Sequence, residues 1–431
     1  MDTVVACSTP FGSSALSVVR VSGPKTKGFV LSLQKNTKKI KHSSPFLSSF
    51  LDEDGVVFDE GIITVFFGPN SYTGEDLAEI SCHGNPIIVD QIISLACSFG
   101  CRIAEPGEFT KRAYLSGKLD ISQAEAVSSL ISSRSLEGAK LTYKNLGGEL
   151  SANISSAKET LISVVGEIEF NLDISEEGLQ PDLFTKSSQK ILLLKNKMEE
   201  ALSGFKKTNI LNLGASVVIA GPTNAGKSTL FNLFLEQERA IISKVPGTTR
   251  DVLQDTINLK GMPIVLKDTA GIRKTKDKIE REGINKAQKE LLSADLVLFL
   301  GKKEKRKKKD NKYIYIFNKS DIKKPASGEY DIQISALHGK NIKALKNLIT
   351  KKLSGGSSVS SFILTSKRQV ENIGRAKEHM ELALKGLSTE TSLELVVEDL
   401  NSSIFYLDKI TKKTTKEDIL SSIFSSFCVG K

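Results

Sequence analysis

The sequence predicts a multidomain chain of mixed α/β and α+β class, with a parallel-sheet domain inserted into an all-helical domain and an α+β domain ahead of both. Three observations carry this expectation. From about residue 211 to 350 strand-like and helical runs alternate, the pattern of a parallel sheet covered by helices. Helical periodicity holds on either side of that stretch, over about 122–205 and again over 366–427. Residues 1 to about 119 instead carry short β-rich runs separated by turn clusters such as Gly68-Pro69-Asn70 and Glu105-Pro106-Gly107. The expected boundaries are 1–119, then 120–208 with 357–431 for the split helical domain, and 209–356 for the insert.

Taken in order, residues 15–21 and 62–67 read as strands of the first domain. Ser122-Gln123-Ala124-Glu125 reads as a capping box, with the Ser hydroxyl accepting from the Glu125 amide and the Glu side chain reaching back. The helical stretch behind it runs to about residue 170 with an interruption at Gly147-Gly148, and a second spans about 183–205. In the insert, strands are expected at 217–220, 257–259, 264–266, 296–300 and 313–317. The alternation breaks at Gly355-Gly356-Ser357-Ser358, and the apolar positions of 366–427 read as core packing.

Composition sets limits on class and partners. A chain of 431 residues with 39% hydrophobic and 26% charged residues is neither disordered nor collagen-like. No apolar run approaches the roughly 20 residues of a membrane helix, so no membrane association is expected. The start, Met1-Asp-Thr-Val-Val, has no basic n-region, so no signal peptide is expected. Cys7, Cys82, Cys97, Cys101 and Cys428 lack metal-ligand spacing and point to a reducing cytoplasm. The net charge is +10, of which eight basic residues against Glu304 and Asp310 in 302–312 supply 8 − 2 = 6. That run reads as a solvated loop between strands or as an attractor of nucleic-acid phosphate, and the remaining +4 locates no partner.

Gly221-Pro-Thr-Asn-Ala-Gly-Lys227-Ser228 fits a phosphate-binding loop between a strand and a helix. Amides of Asn224, Ala225, Gly226, Lys227, Ser228 and Thr229 would face phosphate oxygens. Lys227 would neutralise β/γ charge and the Ser228 hydroxyl would ligate Mg²⁺. Asp268-Thr269-Ala270-Gly271 follows an apolar strand, where the Asp can hold Mg²⁺ through water and the Gly271 amide can meet the γ-phosphate. Asn318-Lys319-Ser320-Asp321 follows another strand, and a carboxylate there accepts both donors of a guanine edge, which adenine cannot supply. Ser335-Ala336-Leu337 would offer a backbone amide to the guanine oxygen. The set predicts a GTP-binding domain. Ile272 stands where Ras-type GTPases place a water-orienting Gln, and Arg250 and Arg273 are merely near; the residues alone do not say what replaces them.

Further motifs resemble one family. Ala240-Ile-Ile-Ser-Lys-Val-Pro-Gly-Thr-Thr-Arg-Asp-Val, Asp2-Thr-Val-Val-Ala, Arg20-Val-Ser-Gly, Ser71-Tyr-Thr-Gly-Glu-Asp, His83-Gly, Pro106-Gly-Glu-Phe-Thr-Lys-Arg-Ala, Lys118-Leu-Asp-Ile-Ser-Gln-Ala-Glu-Ala and Ile423-Phe-Ser-Ser-Phe-Cys-Val-Gly-Lys431 all look like motifs of the MnmE (TrmE) family of tRNA-modification GTPases. The resemblance implies a cytoplasmic homodimer that makes 5-carboxymethylaminomethyl-type uridines at the tRNA wobble position with the FAD-dependent protein MnmG. It further implies that the GTP site includes Ser243, Lys244, Val245, Pro246, Gly247, Thr248 and Thr249. Thr249 would join Ser228 on Mg²⁺, and Asn224 with Ser243, Val245 and Thr248 would hold K⁺. The cation would favour pairing of the GTPase domains and supply charge otherwise brought by an arginine finger. Glu280 is implied as the water-orienting carboxylate, with Glu282 as local competitor; without the resemblance both read as exposed helix charges.

For the first domain the resemblance implies a tetrahydrofolate one-carbon donor of 5-formyl or methylene type, held by Arg20, Glu79, Lys118 and Lys431. Carboxylate and cations suit the pterin edge and the carboxylated tail. Cys428 is implied as a catalytic thiol, although on sequence grounds such a position is a frayed tail. The other four cysteines read as small buried hydrophobes, and His83 as either a pocket residue or a satisfied turn histidine. Phe11-Gly-Ser-Ser-Ala departs from the family's Gly-rich turn, and Leu172-Asp-Ile-Ser-Glu-Glu from its Asp-Phe-Pro-Glu-Glu segment. A regulatory GTPase switch in RNA or ribosome assembly is the competing reading, and it needs neither the folate-matching residues nor Cys428-Val-Gly-Lys431.

Overall fold

The computed structural model describes residues 2–35, 40–174, 181–238, 254–268, 289–302, 312–322, 329–354, 362–389, 392–412, 420, 423–425 and 427–430. The chain divides into two compact units, one of residues 1–128, 146–154 and 405–431, the other of 129–145 and 155–404.

In the first unit, among the described residues, six strands form one sheet: β1 (Val4–Cys7), β2 (Leu16–Ser22), β3 (Phe46–Leu51), β4 (Val57–Phe66), β5 (Leu77–His83) and β6 (Arg102–Ile103), in the order β3-β4-β5-β2-β1-β6. Its pairs are antiparallel apart from β1 with β6. Helices α1 (Thr26–Leu33) and α2 (Pro86–Ser98) cover one face, burying Phe29, Val30 and Leu33 and then Val89, Ile92 and Ala96 against Val5, Val19, Ile63, Val65 and Ile80. The start of α2 is set locally. The Asn85 side chain accepts from the Ile87 amide at 3.0 Å, and Pro86 occupies the first turn, where a missing N–H costs nothing. Strand alternation leaves Val18 and Arg20 of β2 beside Ser81 and Glu79 of β5 in a half-buried row, with Leu16 opposite His83 at its exposed end.

Helices α3 (Glu108–Leu115) and α4 (Ile121–Ser132) follow. The cap of α4 differs from the expected box at Ser122 and Glu125. Gln123 N donates to Asp120 Oδ1 and Asp120 N to Gln123 Oε1, both at 2.9 Å, so the reciprocal pair lies two residues earlier. Ser122 is fully buried inside the first turn, where its hydroxyl donates to Asp120 Oδ1 at 2.7 Å and meets Ser151 Oγ at 2.9 Å. A carboxylate at the mouth of the helix outcompetes a hydroxyl already turned inward.

The described residues of the tail are packed. Leu420, Phe424 and Phe427 pack with Tyr114, Ile121 and Ala124, and burying each Phe contributes about 1.5–3 kcal/mol. Gly107 N donates to Cys428 O at 3.3 Å, and Ser8 Oγ to Gly430 O at 2.9 Å. Gly430 has φ +89, and a Cβ there would lie 2.3 Å from the Cys7 carbonyl oxygen, so the position needs glycine. Cys82 and Cys101 are buried, and burial pushes each thiol up to about 11. Cys7 and Cys97 are half-buried against the same core.

Helices α5 (Leu136–Leu146), α6 (Glu149–Ile174), whose first residues belong to the first unit and the rest to the second, and α7 (Pro181–Leu213) precede an α/β segment. That segment contains β7 (Ala215–Ala220), α8 (Lys227–Glu238), β8 (Gln254–Leu259), β9 (Met262–Asp268), β10 (Leu296–Leu300), β11 (Tyr313–Phe317), β12 (Ile332–Gln333) and α9 (Ile342–Ser354). Helices α10 (Lys367–Ser388) and α11 (Leu393–Thr411) come after it. Ser366 and Gln369 form the capping box that starts α10. Asn212, near the end of α7, ties that helix to α5 and to the segment before it. Its side chain accepts from Ser133 Oγ at 3.1 Å and Thr142 Oγ1 at 3.2 Å, and its carbonyl from Arg134 N at 2.7 Å. Gly214, at φ +88, then turns the chain into β7.

Among the described residues the second sheet runs β12-β11-β10-β7-β9-β8, parallel except for β8 at its edge. Its core joins Val217 and Ile219 of β7 to Phe234, Leu266, Leu298, Ile316 and Leu345. From β7 the chain leaves first to one side and then to the other, which makes the carboxyl end of β7 the ligand crevice of such a sheet. No helix among the described residues is long and apolar enough to cross a membrane.

Candidate functional site

The loop after β7 has the backbone of a phosphate cradle. Gly221, Asn224 and Gly226 have φ of +143, +60 and +90. At Gly221 a Cβ would stand 2.7 Å from the Leu300 carbonyl oxygen, and at Gly226 it would stand 2.2 Å from Asn318 Nδ2. Side chains are therefore excluded where a phosphate would be wrapped. Lys227 opens α8, and its Nζ donates to the Gly221 and Pro222 carbonyls at 3.0 and 2.7 Å. Ser228 and Thr229 follow in the first turn, both exposed.

Asn318 brings the motifs together. Its Nδ2 donates to Ala225 O at 2.9 Å, and its Oδ1 accepts from Ala336 N at 3.0 Å, so one amide braces the phosphate loop against the 335–337 turn. Lys319, at φ +64, sends Nζ to Asn224 O at 3.0 Å. The hydrogen bond from Ser335 holds the Asp321 carboxyl below its ordinary value. Ser335 and Ala336 are buried, while Leu337 is exposed. Asp268 ends β9 beside Ile219 of β7, at the crevice end of the sheet. Thr269, Ala270, Gly271, the segment from Ser243 through Lys244, Val245, Pro246, Gly247, Thr248 to Thr249, and Glu280 with Glu282 lie outside the described residues.

In the first unit the row of β2 and β5 pairs Arg20 with Glu79, at 2.7 Å from Nη2 and 2.9 Å from Nε to Oε1. Tyr72 OH lies 2.9 Å from Thr110 Oγ1, and burial raises its phenol although Arg20 pulls the other way. Lys118 follows α3, its Cε 3.9 Å from the space a Gly74 Cβ would take. Lys431 lies outside the described residues. His83 is exposed, and its Nδ1 sits 2.6 Å from Asp59, whose carboxylate also accepts from the His83 amide at 3.0 Å. Cys428 is exposed, its backbone pinned to Gly107. Of the basic run, Lys302 pairs with Glu329 at 3.0 Å and Lys312 donates to Leu292 O at 2.6 Å, while 303–311 lie outside the described residues.

Two features escape sequence reading. The first is an ionic knot. Arg112 binds Asp2 at 2.7 Å, Glu75 at 3.0 Å and Glu108 at 3.0 Å, and Arg102 adds Glu108 at 2.7 Å and Asp2 at 2.8 Å. Arg112 and Glu108 stand four apart on a helix, which was the available signal; Asp2 and Glu75 are distant in the chain. The second is His338, whose Nε2 is 3.7 Å from Asp321 Oδ2. Nothing in its sequence neighbourhood announces that contact.

Comparison with known proteins covers the chain from end to end. The model of the GTP-binding protein TrmE N-terminus matches residues 3–118, and that of the MnmE helical domain matches 121–428. The tRNA modification GTPase MnmE of Aquifex aeolicus (strain VF5) is 37% identical over 452 residues, with 100% of each chain covered. That of Thermotoga maritima is 35% identical over 458 residues, again over 100% of both. Among solved structures, Era in complex with MgGDPNP and nucleotides 1506–1542 of 16S ribosomal RNA is 26% identical. It covers 38% of this chain and 66% of its own, at a TM-score of 0.26 that is too low to build on.

Proposed function

The chain belongs to the MnmE family of tRNA modification GTPases, and on that premise we propose that its modification is a carboxymethylaminomethyl-type group at the wobble uridine, made with an MnmG-type FAD protein. The one-carbon unit comes from a tetrahydrofolate derivative held by Arg20, Glu79, Lys118 and Lys431, with Cys428 as the catalytic thiol. The working protein is a cytoplasmic homodimer built from domains 1–119, 120–208 with 357–431, and 209–356. The observation that supports GTP chemistry most directly is the Asn318 bridge, because it draws the phosphate loop and the base-reading turn into one site.

Phosphoryl transfer asks a protein mainly for positioning and charge stabilisation. The cradle amides and Lys227 face the phosphates, Asp321 accepts from guanine, and the Ala336 amide meets its oxygen. Ser228 and Thr249 would hold Mg²⁺, and Asn224 with the carbonyls of Ser243, Val245 and Thr248 would hold K⁺. Bound there, these cations offset the charge that develops on the transferring group. Glu280 orients the attacking water.

Mass spectrometry of tRNA nucleosides from cells lacking the chain should show wobble uridines without the group. Unchanged wobble uridines would favour the regulatory switch instead. GTP turnover should be on the order of 100-fold or more faster in K⁺ than in Na⁺, the cost of losing one preorganised charge-stabilising group. Equal rates would remove Asn224 and its companion carbonyls from the mechanism.

A further inference from the structure

Helix α9 carries Lys343, Lys346, Lys351 and Lys352 and no carboxylate. The sequence around it is equally one-sided: no Asp or Glu occurs between residues 332 and 370, against six lysines and one arginine. Lys343, Asn347 and Lys351 are exposed and stand four residues apart, so they line one stripe of the helix, about 12 Å long. On one flank Lys346 Nζ donates to Gln237 Oε1 of α8 at 2.9 Å, next in the chain to the exposed Glu236. On another, Lys352 Nζ donates to the Tyr313 carbonyl at 2.6 Å, which draws it to the start of β11 beside Lys312. At the opposite end Asn341 Nδ2 donates to Gln333 O at 2.9 Å, and exposed Lys340 stands just ahead of the helix. Cations thus run the whole length of α9.

Fold stability does not ask for this arrangement. The helix dipole attracts cations to the C-terminal turn, which accounts for Lys351 and Lys352 but not for Lys343. Lys343 stands in the first turn, where the dipole favours carboxylates and α9 has none. The nucleotide does not account for it either. Phosphates belong at the loop after β7, whereas the 335–337 turn ahead of α9 meets an uncharged base. The excess charge is left for a polyanion outside the chain.

We propose that the exposed stripe of α9 is a docking surface for RNA phosphates, used when the chain engages tRNA. The surface presupposes that tRNA is the substrate. A nucleic-acid strand carries one charge for every ~3.4 Å of rise, so a stripe of about 12 Å spans several phosphates. Lys343 and Lys351 offer point charges on flexible stems, which position a backbone without reading bases. Asn347 between them can donate an amide N–H to a phosphate oxygen. A protein partner would want aromatic or aliphatic anchors, and among the described residues α9 exposes no large apolar side chain.

The test is fluorescently labelled, unfractionated tRNA titrated with the full chain and followed by anisotropy across about 50–200 mM salt. K343Q/K351Q removes two phosphate contacts, so the slope of log K against log salt should become shallower by about 1.4–1.8. Affinity near 0.1 M salt should fall on the order of tenfold or more. K140Q/K144Q, an exposed pair four apart on α5, lowers the net charge equally and should leave slope and affinity unchanged. Both variants should bind GDP as the parent does, which shows that they are folded. An unchanged slope in K343Q/K351Q, the result an acidic protein occupant would give, overturns the proposal. An equal loss in both pairs overturns it too, because net charge would then be the cause. Whether the chain modifies tRNA is decided separately by nucleoside mass spectrometry, so a parent that binds no tRNA would sink this surface without touching that reading.

Discussion

Asn318→Ala should weaken GDP binding on the order of 100-fold while leaving the chain folded. The substitution deletes both bonds of the bridge, to Ala225 O at 2.9 Å and from Ala336 N at 3.0 Å. An unpaired backbone group costs about 1–3 kcal/mol, so losing two partners in a half-buried site amounts to roughly 3 kcal/mol, or two decades in affinity. Asn318→Asp refines the result. It keeps an acceptor for the Ala336 amide but places a carboxylate oxygen against the Ala225 carbonyl, so it should bind GDP no better than the Ala variant. Titration calorimetry with GDP gives both numbers. An Ala variant within threefold of the parent would mean that the phosphate loop and the 335–337 turn hold their places without the bridge.

Arg112→Met should lower the unfolding free energy by about 3–5 kcal/mol, because it keeps the volume of the side chain and removes the cation from three carboxylates. Glu75 and Glu108 are only 16% and 11% exposed, so water cannot easily replace the lost partner. The pH dependence identifies the cause. Burial alone would raise the Glu108 carboxyl, but hydrogen bonds from Arg102, the Glu105 amide and Arg112 outweigh it and leave it below its ordinary 4.5. Asp2 is likewise lowered, first by Arg102. A depressed carboxylate stabilises the fold above its unfolded pKa, and that contribution drains away as pH falls through the folded value. The gap between parent and variant, followed by thermal unfolding of the full chain, should therefore be widest near neutrality and narrow below about pH 4. A gap independent of pH would assign the loss to packing.

How much of this was legible in the sequence depends on whether the chemistry is local. The phosphate loop could be read because its glycines and Lys227 answer to a phosphate whatever surrounds them. The strands could be read because burial on one face imposes alternation. The cap of α4 was misplaced because two candidate acceptors, Asp120 and Ser122, stand two residues apart, and only packing against Ser151 decides which faces the helix amides. The contacts of Arg112 with Asp2 and Glu75 and the His83–Asp59 pair join residues far apart in the chain, and no spacing rule predicts such partners. His338 belongs to the same class, since its meaning depends on Asp321 from another loop. The packing of the tail could not be read because its aromatic residues find a core against Tyr114 and Ile121 that is invisible from residues 423–431 alone.

That buried tail also bears on the order of events during synthesis. The first unit draws on residues 1–128, 146–154 and 405–431, so its core is incomplete while 155–404 are still being made. At bacterial or eukaryotic elongation rates of roughly 5–20 residues per second, the intervening segment of about 250 residues takes on the order of 10–50 s. For that interval the surfaces of Tyr114, Ile121 and Ala124 wait for Phe424 and Phe427, and Ser8 waits for Gly430. The nascent chain thus leaves the Tyr114, Ile121 and Ala124 surface uncovered until its distal segment arrives.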